Sequence, residues 1–122
     1  MPSALGLRRE NSIKIAYPEL RRMRMPWTRA VGLIGRENVK SGAAYLFAHC
    51  PSVHTHLMRT AIDVIVCDKH MTVLAVETME PGRSSSPKVR GARAVVEAAP
   101  GSAAEAGIAP GLSLCLVKGW KP

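Results

Sequence analysis

The sequence predicts a mainly β fold, namely a small single-domain β-barrel or sandwich of about six or seven short strands with two short helices. Three observations lead to this prediction. Short apolar or alternating runs recur at near-regular spacing, and clusters of Gly, Pro and Ser separate them. A chain of 122 residues has the length of one ordinary domain. Only 4% of the residues are aromatic, so the predicted core consists of aliphatic side chains and methionine.

The first part of the chain carries one strand signal, one extended segment and one helix signal. Residues 12–17 alternate between apolar and polar side chains and stop at Pro18, which predicts an edge strand. Residues 21–26 alternate Arg with Met and indicate an extended segment. Thr28 is suited to cap a short helix, and Gly35 is suited to end it.

The remainder of the chain is richer in strand signals. Residues 62–68 form an apolar run that predicts a buried strand, with residues 71–78 as its hairpin partner across a tight Lys69-His70 turn. Residues 80–87 predict a surface loop, and residues 100–106 predict a second short helix that Gly107 ends. Further strands are predicted over residues 45–47, 92–98 and 112–117, with residues 53–57 either a separate strand or continuous with residues 62–68.

These elements predict one β-barrel-like domain over residues 12–118, with tails at residues 1–11 and 119–122. No apolar stretch is long enough to cross a membrane, and the first residues lack the apolar region of a signal peptide. We therefore expect a cytoplasmic protein with no membrane partner. The three cysteines lack close spacing, which is typical of reduced thiols, and Cys67 and Cys115 lie in apolar runs that predict inert side chains.

The chain is basic, with a formal net charge of +8 at pH 7. Such a charge favours contact with phosphate groups. Aromatic side chains for base stacking are almost absent from the basic clusters, so a solvated basic surface is favoured over nucleic-acid binding. The clusters are Arg21, Arg22, Arg24, Arg29 and Arg36; Lys88, Arg90 and Arg93; and Lys118 and Lys121.

One carboxylate interrupts the most apolar strand signal, because Asp63 lies within residues 62–68. A carboxylate buried in such a strand requires backbone donors or a cation, and Arg29, Arg36 or Arg59 are candidates for the cation. Two interpretations follow. Asp63 either belongs to a structural pair that fixes the strand register, or lies at the mouth of a small pocket.

Polar side chains precede Asp63 in sequence. His54 and His56 are two residues apart and would share one face of a strand, with the Met58 thioether nearby. Zinc or copper binding is conceivable from such donors, but the spacing is looser than in structural metal sites, so ordinary hydrogen-bonded and solvated histidines are favoured. Glu97 repeats the pattern of Asp63 on a smaller scale. It is either a second inward-facing acid or a solvent-facing residue of an alternating strand, and the second interpretation is favoured.

Short motifs recur in a recognisable order along the chain. They are Arg29-Ala30-Val31-Gly32-Leu33-Ile34-Gly35-Arg36, Val53-His54-Thr55, Met58-Arg59, Ile62-Asp63-Val64 and Val95-Val96-Glu97-Ala98-Ala99-Pro100-Gly101, followed by Gly107 and Gly111. Their order and spacing resemble the bacterial and archaeal domain of unknown function family 192, from about Ile13 to Val117. The resemblance implies a single β-barrel-like domain and implies no activity, cofactor or catalytic residue. The chain departs from the family at the hairpin, where Lys69-His70-Met71 replaces the usual Asp-Gly.

The sequence supports one main hypothesis and two alternatives. The main hypothesis is that a small polar ligand or a protein partner binds at a pocket around Asp63. The first alternative is an enzyme that uses His54 and Asp63 in acid-base chemistry. The second is non-specific nucleic-acid binding through the basic surface. No cofactor and no metal are predicted. The candidate ligand-binding residues are Arg36, His54, His56, Met58, Arg59 and Asp63.

Overall fold

The computed structural model describes residues 5–10, 12, 14–22, 42–48, 60–80 and 88–118. Within these ranges the chain forms eight strands and one short helix. They are β1 (Leu5–Arg9), β2 (Ile15–Tyr17), β3 (Glu19–Arg22), β4 (Ala43–Ala48), β5 (Ile62–Cys67), β6 (Val73–Met79), β7 (Ala94–Ala98), α1 (Ser102–Glu105) and β8 (Leu114–Lys118).

The strands form two sheets. A three-stranded antiparallel sheet has the order β2-β1-β8, and a five-stranded sheet has the order β3-β4-β7-β5-β6, in which only the β3–β4 pair is parallel. The prediction of a mainly β, sandwich-like fold is confirmed, and the described strands do not close into a barrel. One of the two predicted helices is present as α1. The other, at residues 28–33, lies outside the described residues.

The three-stranded sheet corrects one sequence prediction. Leu5–Arg9 falls in the predicted N-terminal tail, yet it forms β1, the central strand of this sheet. The segment Leu-Gly-Leu-Arg-Arg has little strand signal of its own. Its pairing with Leu114–Lys118 near the other end of the chain provides the hydrogen bonds that make it a strand.

The β5–β6 hairpin corrects a second prediction. Lys69 and His70 do not form a two-residue turn. The N–H of Asp68 donates to the carbonyl of Thr72 at 3.0 Å, and the N–H of Met71 donates to the carbonyl of Asp68 at 3.1 Å, so the loop contains three residues. Met71 takes the left-handed conformation, with φ of 63°, that glycine usually supplies at this position.

The five-stranded sheet has two faces, which we call the first face and the second face, and its strands β5 and β7 are buried on both of them. The first face packs against the three-stranded sheet and α1, with Leu7, Tyr17 and Ala103 contributing to the shared cluster. The second face carries a separate apolar cluster. The members of the second-face cluster are Ala43, Phe47, Ile62, Val64, Val66, Met79 and Val95. None of the described helices is long and apolar enough to cross a membrane.

Candidate functional site

The carboxylate of Asp63 lies on the first face and is 2% exposed. Its Oδ1 accepts hydrogen bonds from the Thr78 hydroxyl at 2.6 Å and from the N–H of Gly101 at 3.0 Å. Its Oδ2 accepts a hydrogen bond from the N–H of Ala103 at 3.0 Å. The first N–H groups of a helix have no partner within the helix, and a carboxylate satisfies them well. Asp63 therefore caps α1 from the neighbouring strand, and backbone donors provide the compensation that its burial requires.

The other end of α1 is held by Arg9. The guanidinium Nη1 of Arg9 donates to the carbonyls of Ala106 at 3.3 Å and Gly107 at 3.2 Å. These carbonyls follow the last turn of the helix and have no partner within it, so a cation satisfies them. A Cβ atom at Gly107 would collide with the guanidinium, and φ of 71° also favours glycine at this position.

A hydroxyl pair attaches α1 to β2. The Ser102 hydroxyl donates to the carbonyl of Ala99 at 2.6 Å, so the Tyr17 hydroxyl is the donor in its 2.9 Å contact with Ser102. Burial raises the pKa of Tyr17 above its ordinary value, which keeps this donor protonated. Three elements, β1, β2 and β5, thus hold a helix of four residues in place.

The remaining sequence-predicted site residues lie outside the described residues. The structure brings Asp63 together with Thr78, Gly101 and Ala103, and Asp63 does not line either of the clefts found among the described residues. The geometry of Asp63 favours the structural interpretation that the sequence left open, with two backbone N–H groups and the Thr78 hydroxyl as donors. The arginines considered as partners, Arg29, Arg36 and Arg59, lie outside the described residues. A ligand-binding role stays a prediction for Arg36, His54, His56, Met58 and Arg59.

Away from Asp63, a cleft of about 290 Å³ opens between the end of the five-stranded sheet and β8, and we call it the cationic cleft. Arg22 at the end of β3, Lys69 in the hairpin and Arg93 before β7 line it. Asp68 is the acid in its lining. Among the described residues, the lining of the cleft thus carries three cations against one carboxylate. Its apolar lining contains Leu46, Met71, Ala94 and Leu116.

The charge of Asp68 is directed toward the hairpin backbone. Its Oδ1 accepts hydrogen bonds from the N–H groups of His70 at 2.8 Å and Thr72 at 2.9 Å. The hydrogen bond from Thr72 lowers the pKa of Asp68, and the bond from His70 acts in the same direction. Asp68 therefore stays ionised while it shapes the loop that presents Lys69 and Met71 to the cleft.

A second cleft, of about 200 Å³, lies beside α1. Its lining includes Arg9, Lys14 and Glu105, together with the hydroxyls of Tyr17 and Ser102. Arg9, Tyr17 and Ser102 already serve the attachment of α1. This cleft has a mixed charge, in contrast to the excess of cations in the cationic cleft.

Glu97 corrects a sequence prediction. It does not face solvent, because it is 1% exposed on the second face of β7. Burial raises its pKa from 4.5 to about 8. The alternation rule fails here because both faces of β7 are buried, and the rule assumes one wet face.

The sequence also led to predictions about thiols and metals. Cys67 is buried, and burial raises its pKa to about 12, so its thiol is unreactive as predicted. Among the described residues, no group of three or more His, Cys, Asp or Glu side chains is placed to hold a metal ion. His54 and His56 are not among those residues.

The family of the chain follows from comparison with known proteins. Residues 8–116 match the model of a family described as uncharacterized ACR, DUF192, and this match spans most of the 122 residues. The chain belongs to the DUF192 family. The resemblance to this family that the short motifs indicated is therefore confirmed. No curated protein matches this DUF192 chain.

Two solved structures share the fold of this DUF192 domain. A protein of unknown function from Novosphingobium aromaticivorans superposes with a TM-score of 0.71 at 20% identity, over 92% of this chain and 83% of that chain. A protein from Sinorhizobium meliloti, named as a candidate transcription regulator, superposes with a TM-score of 0.62 at 16% identity, over 94% of this chain and 93% of that chain. At these identities the likeness shows the fold alone.

Proposed function

We propose that this DUF192 domain binds a small organic anion in the cationic cleft. The observation that carries the proposal is the convergence of Arg22, Lys69 and Arg93 from three separate elements around one cavity. In the part of the lining that the structure describes, these three cations outweigh the acid Asp68, and this excess of positive charge would attract a negatively charged group. This is a specific form of the small-polar-ligand hypothesis, at a different place from Asp63.

The shape and lining of the cleft indicate what kind of anion fits. A volume of about 290 Å³ lies at the lower end of the range of small-molecule sites. Leu46, Met71 and Leu116 provide apolar contact, and Arg22, Lys69 and Arg93 provide positive charge. A carboxylate with a short apolar body satisfies both parts of such a lining. A phosphate ion alone would leave the apolar part without a partner.

The backbone of the hairpin supports a binding role for the cleft. Met71 holds a left-handed φ of 63°, which is unfavourable for a residue with a long side chain. The Asp68 carboxylate bonds to the N–H groups on both sides of Met71 and maintains that conformation. Met71 thereby stays beside Lys69 in the lining, and non-glycine residues with such backbone strain are concentrated at binding sites.

Binding is measured by isothermal titration calorimetry with hexanoate as the probe and hexanol as its neutral counterpart. We expect hexanoate to bind the wild-type chain and hexanol to bind at least about tenfold more weakly, because hydrogen bonds to charged groups contribute about 1.5 to 3 kcal/mol each. The double variant Arg22→Gln/Arg93→Gln should weaken hexanoate binding by about tenfold or more on the same ground.

The matched control is Lys88→Gln/Arg90→Gln, which removes the same charge from exposed positions outside the cleft. It should leave hexanoate affinity within about twofold, since distant exposed charges are screened by salt. Failure of hexanoate to bind, or equal weakening by both double variants, would contradict the proposal.

A titration with single-stranded DNA tests the nucleic-acid alternative. DNA affinity that falls steeply with salt and weakens equally in both variants, without hexanoate binding, would support that alternative instead.

A further inference from the structure

The segment between β1 and β2 forms part of the cleft beside α1, which we call the α1 cleft. Ser12 and Lys14 of this segment line it. Nη1 of Arg8 donates to the carbonyls of Arg9 at 2.9 Å and Ser12 at 3.2 Å. The Ser12 hydroxyl oxygen accepts a hydrogen bond from the N–H of Lys14 at 3.1 Å. These bonds hold the backbone that carries Lys14 in place, and such preorganisation lowers the entropic cost of binding a ligand.

The wall formed by α1 and β2 presents hydrogen-bond acceptors to the same cleft. The Ser102 hydroxyl gives its proton to the carbonyl of Ala99 and accepts the proton of the buried Tyr17 hydroxyl. A hydroxyl oxygen has two lone pairs, so Ser102 keeps one with which it can accept a hydrogen bond from a ligand. Glu105 is exposed in the same lining and adds the acceptor oxygens of a carboxylate.

Glu105 acts electrostatically on this hydroxyl pair. Burial is the largest cause of the raised pKa of Tyr17, and the charge of Glu105 is a smaller cause in the same direction. The carboxylate and the two hydroxyls therefore belong to one part of the cleft. This part favours a ligand group that is positively charged and donates hydrogen bonds, as an ammonium group does.

Other acids near the cleft have their oxygens engaged elsewhere. Oε1 of Glu10 accepts a hydrogen bond from the N–H of Ser113 at 3.2 Å. Asp63 accepts its hydrogen bonds at the start of α1. Among the described residues, Glu105 is the acid that lines the α1 cleft.

The α1 cleft also contains positive charge. Arg9 and Lys14 both line it, and Lys14 is exposed. Nη1 of Arg9 donates to the carbonyls of Ala106 and Gly107, and no described residue pairs with its buried Nε. These contacts with neutral groups leave the charge of the guanidinium without a carboxylate to balance it. The two cations therefore favour an anionic group on the ligand.

The size and the apolar lining of the α1 cleft limit the ligand further. Its volume of about 200 Å³ lies below the range of sites for drug-sized ligands, so the ligand is small. Ile15, Ala16 and Ala106 supply apolar contact. A molecule that satisfies the whole lining carries a cation, an anion and a short apolar group.

We propose that the α1 cleft binds a small zwitterion, namely a free amino acid with a short apolar side chain. Its ammonium group lies at Glu105 and the Ser102 oxygen, its carboxylate lies at Lys14 and Arg9, and its side chain contacts Ile15. An amine or an acid alone would leave one sign of charge in the lining without a partner. No described residue lines both this cleft and the cationic cleft, so this inference does not depend on the proposed function.

Binding is measured by NMR titration of the ¹⁵N-labelled chain with L-valine at about pH 6, where an α-amino group is protonated. Two analogues each lack one charge. L-2-Hydroxyisovalerate has a hydroxyl in place of the ammonium group, and L-valinamide has a neutral amide in place of the carboxylate. We expect L-valine to give saturable shifts at the backbone amides of Lys14, Gly42 and Ala106, which line the cleft. Each analogue should bind at least about tenfold more weakly, because it loses hydrogen bonds between charged groups.

Single variants assign the two charges. Lys14→Gln should weaken L-valine binding by about tenfold and leave L-valinamide binding within about twofold, because valinamide has no carboxylate for Lys14 to contact. Glu105→Gln should weaken L-valine binding by a similar factor without weakening L-2-hydroxyisovalerate. Both positions are exposed, so neither change removes a buried contact. The matched control is Lys88→Gln, exposed and outside the cleft, which should leave L-valine binding within about twofold.

Several outcomes would overturn the proposal. Absence of saturable L-valine shifts at Lys14, Gly42 and Ala106 would show that no zwitterion binds there. Equal affinities for L-valine and L-2-hydroxyisovalerate would identify a site for anions, and equal affinities for L-valine and L-valinamide would identify a site for amines. Equal weakening by Lys14→Gln and Lys88→Gln would show that the general surface charge governs binding. None of these results depends on whether hexanoate binds in the cationic cleft.

Discussion

Asp63 and Arg9 hold opposite ends of the same four-residue helix. The carboxylate receives the free N–H groups at the start of α1, and the guanidinium donates to the free carbonyls at its end. A helix of this length is not stable alone, so α1 depends on these two contacts together with the Tyr17–Ser102 hydroxyl pair and the packing of Ala103.

Replacing Asp63 by alanine should lower the free energy of unfolding by about 3 kcal/mol, because it leaves buried donors without partners. The affected donors are the N–H groups of Gly101 and Ala103 and the hydroxyl of Thr78. Urea unfolding measures the loss. Thr78→Val is the graded control and should cost about 1 kcal/mol, since it removes one hydrogen bond and its own donor together. Equal effects of the two variants would contradict the capping role of Asp63.

Arg9→Met keeps the apolar stem of the side chain and removes its contacts with the end of α1. The free energy of unfolding should fall by about 1 kcal/mol. In a double-mutant cycle with Asp63→Ala, the loss of unfolding free energy in the double variant should be smaller than the sum of the two single losses by at least about 0.5 kcal/mol. The reason is that each single change already releases the same helix. Strict additivity would show that the two ends of α1 are independent.

The Asp68 carboxylate should make the hairpin sensitive to acid. Its folded-state pKa lies below the ordinary 3.8, so its stabilising contribution is present above that value and is lost as the pH falls through the lower, folded-state value. Asp68→Asn keeps an acceptor oxygen and should retain most of the stability at neutral pH, but lose this part of the acid dependence. Asp68→Ala should be less stable than Asp68→Asn at neutral pH. Thermal unfolding at several pH values separates these outcomes, and identical acid profiles for wild type and Asp68→Asn would refute the assignment.

Glu97 should give global stability the opposite pH dependence. Its folded-state pKa is raised from 4.5 to about 8, so the protonated form is the one that favours folding. The free energy of unfolding should fall by up to about 1.4 kcal/mol per pH unit as the pH rises between these values. Glu97→Gln should remove this slope and be more stable than wild type at about pH 9. Urea unfolding across the pH range provides the measurement, and a slope that persists in Glu97→Gln would rule out Glu97 as its source.

The sequence predicted much of the β framework because most strands contain enough apolar residues to be recognised locally. Residues 62–68 and 92–98 are examples, and they correspond to Ile62–Cys67 and Ala94–Ala98. Leu5–Arg9 was missed because its stability comes from pairing with Leu114–Lys118, which no local pattern reveals.

The surroundings of Asp63 and the cationic cleft were harder to predict for the same reason. The sequence indicated that Asp63 needs a hydrogen-bond partner. Two of its donors are the backbone N–H groups of Gly101 and Ala103, and a backbone N–H has no sequence pattern that identifies it as a donor. Arg22 and Arg93 were visible as members of two basic clusters. Only the order of the strands brings them to one cleft with Lys69, so their proximity was not predictable from spacing.

The most direct test of ligand binding in the cationic cleft is NMR chemical-shift mapping of hexanoate on ¹⁵N-labelled chain. We predict saturable shifts at the backbone amides of Lys69, Met71 and Ala94, which line the cleft, and no saturable shifts at Gly101 and Ala103, which bind Asp63. Shifts centred on Gly101 and Ala103, or the absence of saturable shifts at the cleft, would show that the ligand site lies elsewhere.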